Sequence, residues 1–377
     1  MRALLPGWFD PDDERTARAA WSRLTDPVDG AAVAFVQREG AAAALGYVLR
    51  GGGAGLGVAA RWRSRLPDLD PAEDLRVLAA AGGRLVVPGD AEWPSGVDDL
   101  EVPPFCLWVR GPLPLDVATA RAAAVVGARA STAYGNAVAV SLAKRCAELG
   151  VTVVSGAAYG IDAAAHSGAL DVPGATVAVL ASGVDRPYPR GNAPLIDRIA
   201  REGLVVSEVP PGSSPTRSRF VNRNRLIAAL ADATVVVEAG RRSGASITAG
   251  QAVRLNRPVA AVPGPVTSPQ SAGCHQLLRN GCVCVTSGDE LVELVDPLGT
   301  GPAAQPVLPL TPLDELPPAD LRVLDALPAR GTAPVESLAR VAGLDVPAVV
   351  AGLGRLELAG LALRKDGVWR RAGRLGP

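Results

Sequence analysis

Histidine is almost missing from these 377 residues: only His166 and His275 occur. Histidine-based acid–base chemistry therefore has few candidates. Lysine is as scarce. Lys144 and Lys365 are the whole set, and neither follows a glycine. A phosphate loop of the G-K-[ST] type is excluded, and ATP hydrolysis by that route with it. Five cysteines in so long a chain make no disulfide framework and point to a reducing, cytoplasmic setting. No run of about 18 uncharged apolar residues occurs, so no membrane span is expected. The first residues, M-R-A-L-L-P-G-W-F-D, lack a long apolar stretch, so no signal peptide is expected.

What is present is arginine, unevenly placed. Net charge is zero. Residues 1–120 carry 12 basic and 17 acidic side chains, residues 121–290 carry 17 and 11, and residues 291–377 carry 9 and 10. The excess positive charge sits in the middle of the chain. A local basic patch favours anionic partners. Arginine in place of lysine is also a habit of GC-rich genomes, but that does not explain the clustering.

The middle of the chain alternates short apolar runs with helical patterns. Strands are expected at residues 122–126, 151–154, 176–180, 204–207, 234–238, 258–262 and 282–285. Helices are expected at 135–149, 160–170, 223–230, 246–255 and 274–279, with one more running to residue 201. This rhythm predicts a doubly wound α/β sheet with its ligand loops at the carboxyl ends of the strands. Before it, residues 12–24 and 31–48 read as amphipathic helices. R-L-V-V-P-G and P-F-C-L-W-V-R-G read as short strands. After it comes a Pro-rich linker at 298–318, then three short helices and a hairpin turning at Asp366-Gly367. Three helices and a hairpin predict a winged helix. Its third helix holds one arginine, which suits protein contact better than a DNA groove.

Four loops carry the candidate chemistry. The first strand ends in Gly127-Ala128-Arg129-Ala130-Ser131. It lacks the G-x-G-x-x-G pattern, which disfavours NAD or FAD. Gly127, the Arg129 guanidinium, the Ser131 hydroxyl and a helix start would together make an anion site; a plain turn with a solvated arginine is the alternative. The second strand ends in Ser155-Gly156, and Gly156 and Gly160 would let backbone approach a ligand. Asp162 reads as a helix-start residue and His166 as structural. Arg217, Arg219, Arg223 and Arg225 fall within nine residues, with Phe220 among them, Asn222 and Asn224 beside them, and no acid. A π-face amid cations is what a single strand of nucleic acid uses. A last loop adds Ser243 and Gly244 in a Gly/Ser cradle, next to Glu238, a candidate acid or a loop-orienting group. The spacing of Cys274, His275, Cys282 and Cys284 fits no zinc pattern, and buried thiols are expected there. No metal and no cofactor is expected.

These residues resemble the DNA-processing protein A family, also called Smf. Seven blocks occur in order. V-V-G-A-R-x-S-x-x-Y-G covers 125–135, S-G-x-A-x-G-I-D-x-x-A-H covers 155–166, and V-L-x-x-G-x-D-x-x-Y-P covers 179–189. S-E-x-P covers 207–210, R-N-R-x-I-A covers 223–228, V-V-E-A-x-x-x-S-G-x-x-I-T-A covers 236–249, and A-V-P-G covers 261–264. The resemblance implies an extended Rossmann-like domain that binds single-stranded DNA, dimerises, and hands the strand to the RecA recombinase in natural transformation. It implies ligand-contacting roles for Arg129, Arg190, Arg217 and Phe220. Ala128, Val221 and His275 depart from the usual Ser, Pro and Asn.

The expected architecture is therefore α/β. A SAM-like helical domain spans 1–82, an extended Rossmann-like doubly wound sheet 83–297, the linker 298–318 and a winged helix 319–377. The expected activity is binding without catalysis. The alternative is a Rossmann-like enzyme of the nucleotide phosphoribohydrolase kind. Against it, A-G-R-R-S-G-A-S-I-T lacks the glutamate of that P-G-G-x-G-T-x-x-E site.

Overall fold

The computed structural model describes residues 5–52, 59–241, 243–296, 316–329 and 331–372. They form two compact units, Met1–Gly301 and Pro302–Pro377. The expected linker lies mostly outside the described residues.

The first unit opens with helices α1 (Glu14–Leu24), α2 (Gly30–Glu39), α3 (Ala41–Leu49), α4 (Ala59–Arg63) and α5 (Pro71–Ala80). Their small apolar faces close around Trp21, Phe35 and Trp62. The pattern over 31–48 suggests one helix, but two form. Gly40 takes φ 86°, and Glu14 accepts the exposed amides of Ala41 and Ala42 at 2.8 and 3.0 Å. A glycine in that conformation ends a helix at no steric cost.

One sheet of nine strands follows. Its members are β1 (Gly83–Val86), β2 (Leu107–Arg110), β3 (Ala122–Val126), β4 (Thr152–Ser155) and β5 (Thr176–Leu180). They continue with β6 (Leu204–Ser207), β7 (Ala233–Val236), β8 (Val259–Ala261) and β9 (Val283–Cys284). The spatial order is β1-β2-β6-β5-β4-β3-β7-β8-β9. β1 and β2 join antiparallel; the rest pair in parallel. The strands are connected through α6 (Leu115–Thr119), α7 (Ala133–Glu148), α8 (Ile161–Leu170), α9 (Ala193–Glu202), α10 (Arg217–Ala229), α11 (Gly244–Arg254) and α12 (Ala272–Arg279), and α13 (Gly288–Val295) follows the last strand. Each parallel strand from β3 to β8 is buried on both faces, as its unbroken Ala/Val runs require. Helices cover both sides, and a separate apolar core lies on each.

Strand order turns back at β3. The chain leaves β3 for β4 on one side and reaches β7 on the other. The loops after β3 and β7 therefore diverge and open a crevice at the carboxyl ends, where ligands bind in such sheets.

Two differences from the expected elements matter. The helix expected from Arg223 begins six residues earlier, because the Thr216 side chain accepts the amide of Arg219 and caps α10 at Arg217. The arginines thus ride a helix, not a loop. α13 was not expected; Ser287 caps it and Glu290 returns to the amide of Thr286.

The second unit contains α14 (Pro318–Ala326), α15 (Val335–Ala342) and α16 (Val346–Leu358) with the hairpin of β10 (Ala362–Lys365) and β11 (Val368–Arg371). Among the described residues no single helix is long and apolar enough to cross a membrane.

Candidate nucleic-acid interface

A cleft of about 670 Å³ opens at the switch point. Three segments supply most of its lining, with Ala158 and Asp162 from beyond β4 and Gln270 completing it. The β3 loop supplies Gly127 and Arg129, α10 supplies Arg217, Phe220, Arg223 and Asn224, and the start of α11 supplies Ser243 and Gly244. These eight expected residues are brought together.

The loops are tied to one another before any ligand arrives. The buried Glu238 carboxylate accepts the Thr132 amide at 2.8 Å and its hydroxyl at 2.6 Å. Thr132 in turn caps α7 through the amide of Gly135. The amide of Ala128 donates to the Glu238 carbonyl at 2.7 Å. Glu238 is thus the loop-orienting group of the two roles considered for it. Ser243 caps α11, and Gly244 has open space where a Cβ would stand.

At the rim, Arg129 is exposed and its guanidinium lies 4.8 Å over the Phe220 ring. Arg217, on the facing helix, is also exposed. Neither makes an ion pair among the described residues, so both charges are available to an anion. The amide nitrogen of Asn224 donates to the Gly244 carbonyl at 3.3 Å and ties α10 to the cradle.

At the floor the chemistry reverses. Arg223 is 6% exposed. Its guanidinium donates to the carbonyls of Gly156 and Val179, while its Nε has no partner. Burial pulls its pKa down to about 10, with Asp162 holding it up and Arg129 pressing it down, so it stays charged at neutral pH. Burial raises the Asp162 carboxyl, against the pull of Arg223 and of the amides of Ala158 and Gly156.

Seven expected residues are not brought to the cleft. Ser155 is fully buried and donates to the Val125 carbonyl at 2.6 Å. Ser131 donates to Asn136 at 2.6 Å. Gly156 makes room for protein, not ligand: a Cβ there would stand 2.2 Å from the Arg223 guanidinium. Gly160 likewise admits the Ala128 carbonyl. Arg225 points away from the cleft, paired with buried Glu208 and donating to the Val102 carbonyl at 2.8 Å. Arg219 reaches the Ser214 carbonyl at 2.9 Å and Asp26 at 3.4 Å. Arg190 is exposed on the loop beyond β5, outside the cleft lining. The cause is helical geometry: positions 217, 220 and 224 share one face of α10, and 225 falls on another.

Two further expectations are settled by burial. His166 is fully buried, with Nδ1 2.7 Å from the Thr176 hydroxyl, and burial pushes it down to about 3. It is neutral and structural. Cys274 is buried, but Cys282 is half-buried and Cys284 exposed on the outermost strand, which corrects the expectation of buried thiols. Among the described residues no group of His, Cys, Asp and Glu would hold a metal ion.

The sequence reading missed Tyr188. Its ring sits 5.5 Å from Phe220, tilted by 53°. The signal was the aromatic in R-P-Y-P-R, two residues from an arginine on either side.

Comparison with known proteins follows the same lines. Residues 84–296 match the family model described as DNA recombination-mediator protein A. The chain is 49% identical over 374 residues to the putative DNA processing protein DprA of Mycobacterium tuberculosis, covering 95% of each chain. It is 34% identical over 332 residues to protein Smf of Synechocystis, covering 80% of this chain and 83% of that one. The crystal structure of DNA processing protein A from Streptococcus pneumoniae superposes with a TM-score of 0.64 at 30% identity, covering 75% of this chain and 98% of that one. A solved structure of DNA processing protein A from Helicobacter pylori, described for its single-stranded DNA binding mode, superposes with a TM-score of 0.51 at 27% identity, covering 56% of this chain and 96% of that one.

Proposed function

The chain belongs to the DNA-processing protein A family, and on that premise we propose that its cleft binds single-stranded DNA without chemical change. One observation carries the reading: an uncommitted Arg129 lies over the face of Phe220 at the mouth of a cleft, with Arg217 free beside it. Cations take the phosphates and the ring takes a base, the combination that single-strand binders use. The pneumococcal and Helicobacter relatives support it, the second being described for its single-stranded DNA binding mode.

The finer role follows from the family. The protein would shield incoming strands and load the RecA recombinase on them during natural transformation, as a cytoplasmic homodimer. The N-terminal helices (1–82) and a C-terminal winged helix (319–377) would serve as accessory domains. The enzyme alternative has weaker support, since Glu238 and His166 are both committed to internal hydrogen bonds.

The test is fluorescence anisotropy with labelled oligo-dT and a duplex of equal length. Tight binding that weakens with salt and prefers the single strand is expected. Absence of binding at low salt would refute the reading and turn attention to small phosphate ligands.

A further inference from the structure

The loops beyond β4 and β5 bring two tyrosines to the same sheet edge as Phe220. Tyr188 is 43% exposed and its ring centre lies 5.5 Å from that of Phe220. Tyr159, on the loop beyond β4, is 49% exposed. Its hydroxyl accepts the amide of Gly191 at 3.3 Å, and the Asn192 side chain donates to the Ala157 carbonyl at 3.0 Å. The two loops are therefore one surface. Ala157 takes φ 54° and Gly160 φ 79°, so the β4 loop turns sharply on both sides of Tyr159. For alanine that conformation is disfavoured, and it persists where the surroundings fix it.

The charge around these rings is positive. Arg190 is exposed and free of ion pairs among the described residues, and Arg186 reaches only the Ser214 hydroxyl, at 3.3 Å. The nearest acid in sequence, Asp185, is occupied by the amide of Gly212 at 2.9 and 3.0 Å. Exposed tyrosines standing singly need no explanation. Two on joined loops, one of them against a ring already capped by an arginine, and flanked by free cations, form a pattern.

We infer that Tyr188 and Tyr159 are a second stacking platform, which carries the following bases of a single strand from Phe220 toward Arg190. Every base has a π-face, so such a platform extends the site without sequence preference. It also gives Arg190, which lies outside the cleft, a phosphate to meet. This rests on the proposed single-strand binding.

The experiment compares oligo-dT of about 4 and about 12 nucleotides, bracketing common site sizes. The proteins are wild type, Tyr188→Ala, Tyr159→Ala and their Phe counterparts. Tyr188→Ala should weaken the long oligonucleotide roughly tenfold and leave the short one nearly unchanged, and Tyr188→Phe should bind as wild type. Tyr159→Ala should behave in the same way. A 5-iododeoxyuridine placed toward one end of the long strand should crosslink to Tyr188 or Tyr159. Equal losses on short and long strands would make the tyrosines mere supports for Phe220 and overturn the inference. So would unchanged affinity in both alanine variants, or crosslinks confined to the cleft. If wild type binds neither strand, it is the single-strand reading itself that fails.

Discussion

The rim and the underside of α10 use the same residue type for opposite ends. Arg217 stands in solvent beside an exposed Arg129 and a half-buried Phe220. Two turns on, Arg225 is buried against Glu208, with side chains 7% and 11% exposed. Between them Arg223 bonds two carbonyls from the cleft floor. Arginine keeps its charge in all these settings, so its neighbours decide its work. In water it waits for a phosphate. Beneath the helix it is part of the scaffold that points the others outward.

The comparison breaks first, and hardest, on the buried side. Arg225→Ala leaves Glu208 buried without its partner, which should cost about 3–5 kcal/mol in chemical denaturation. Acidification should recover part of that loss, because a protonated Glu208 needs no counter-charge. If Arg225→Ala instead leaves stability intact and abolishes DNA binding, the assignment of Arg225 to the scaffold is wrong. On the exposed side the pattern should invert. Phe220→Ala should leave the melting temperature close to wild type while lowering single-strand affinity by about one to two decades.

His166 sharpens the buried side through pH. Burial holds its folded pKa at about 3, below the ordinary histidine value of 6.5. The unfolded chain therefore takes up the proton first, and stability contributed by this group is lost as pH falls from 6.5 toward 3. At about 1.4 kcal/mol per pH unit, wild type should lose about 2 kcal/mol more than His166→Gln between pH 7 and pH 5. Identical pH profiles in urea titrations would mean that His166 is not buried neutral.

The sheet was legible because a doubly wound fold writes each strand as a short Ala/Val run closed by a small residue. Residues 122–126, 176–180 and 204–207 coincide with β3, β5 and β6. The site was legible as composition but not as direction. Which arginines face the cleft depends on where α10 starts, and its cap is a threonine behind Pro215 with no acid in the first turn. With the helix started at Arg217, positions 217, 220 and 224 line the cleft and 225 turns under. Gly156 carried the opposite lesson. A glycine at a strand end invites a ligand by rule, but here the protein's own guanidinium fills the space. Tyr188 escaped notice because only the folded loop lays it beside Phe220.

The most direct test of the division between rim and underside is the salt dependence of oligo-dT binding by the double variant Arg129→Ala/Arg217→Ala. Each phosphate contact on a single strand contributes about 0.7 to the slope of log K against log salt. The slope should fall in magnitude by about 1.4, with stability unchanged. An unchanged slope would show that the rim arginines meet no phosphate and would contradict the account.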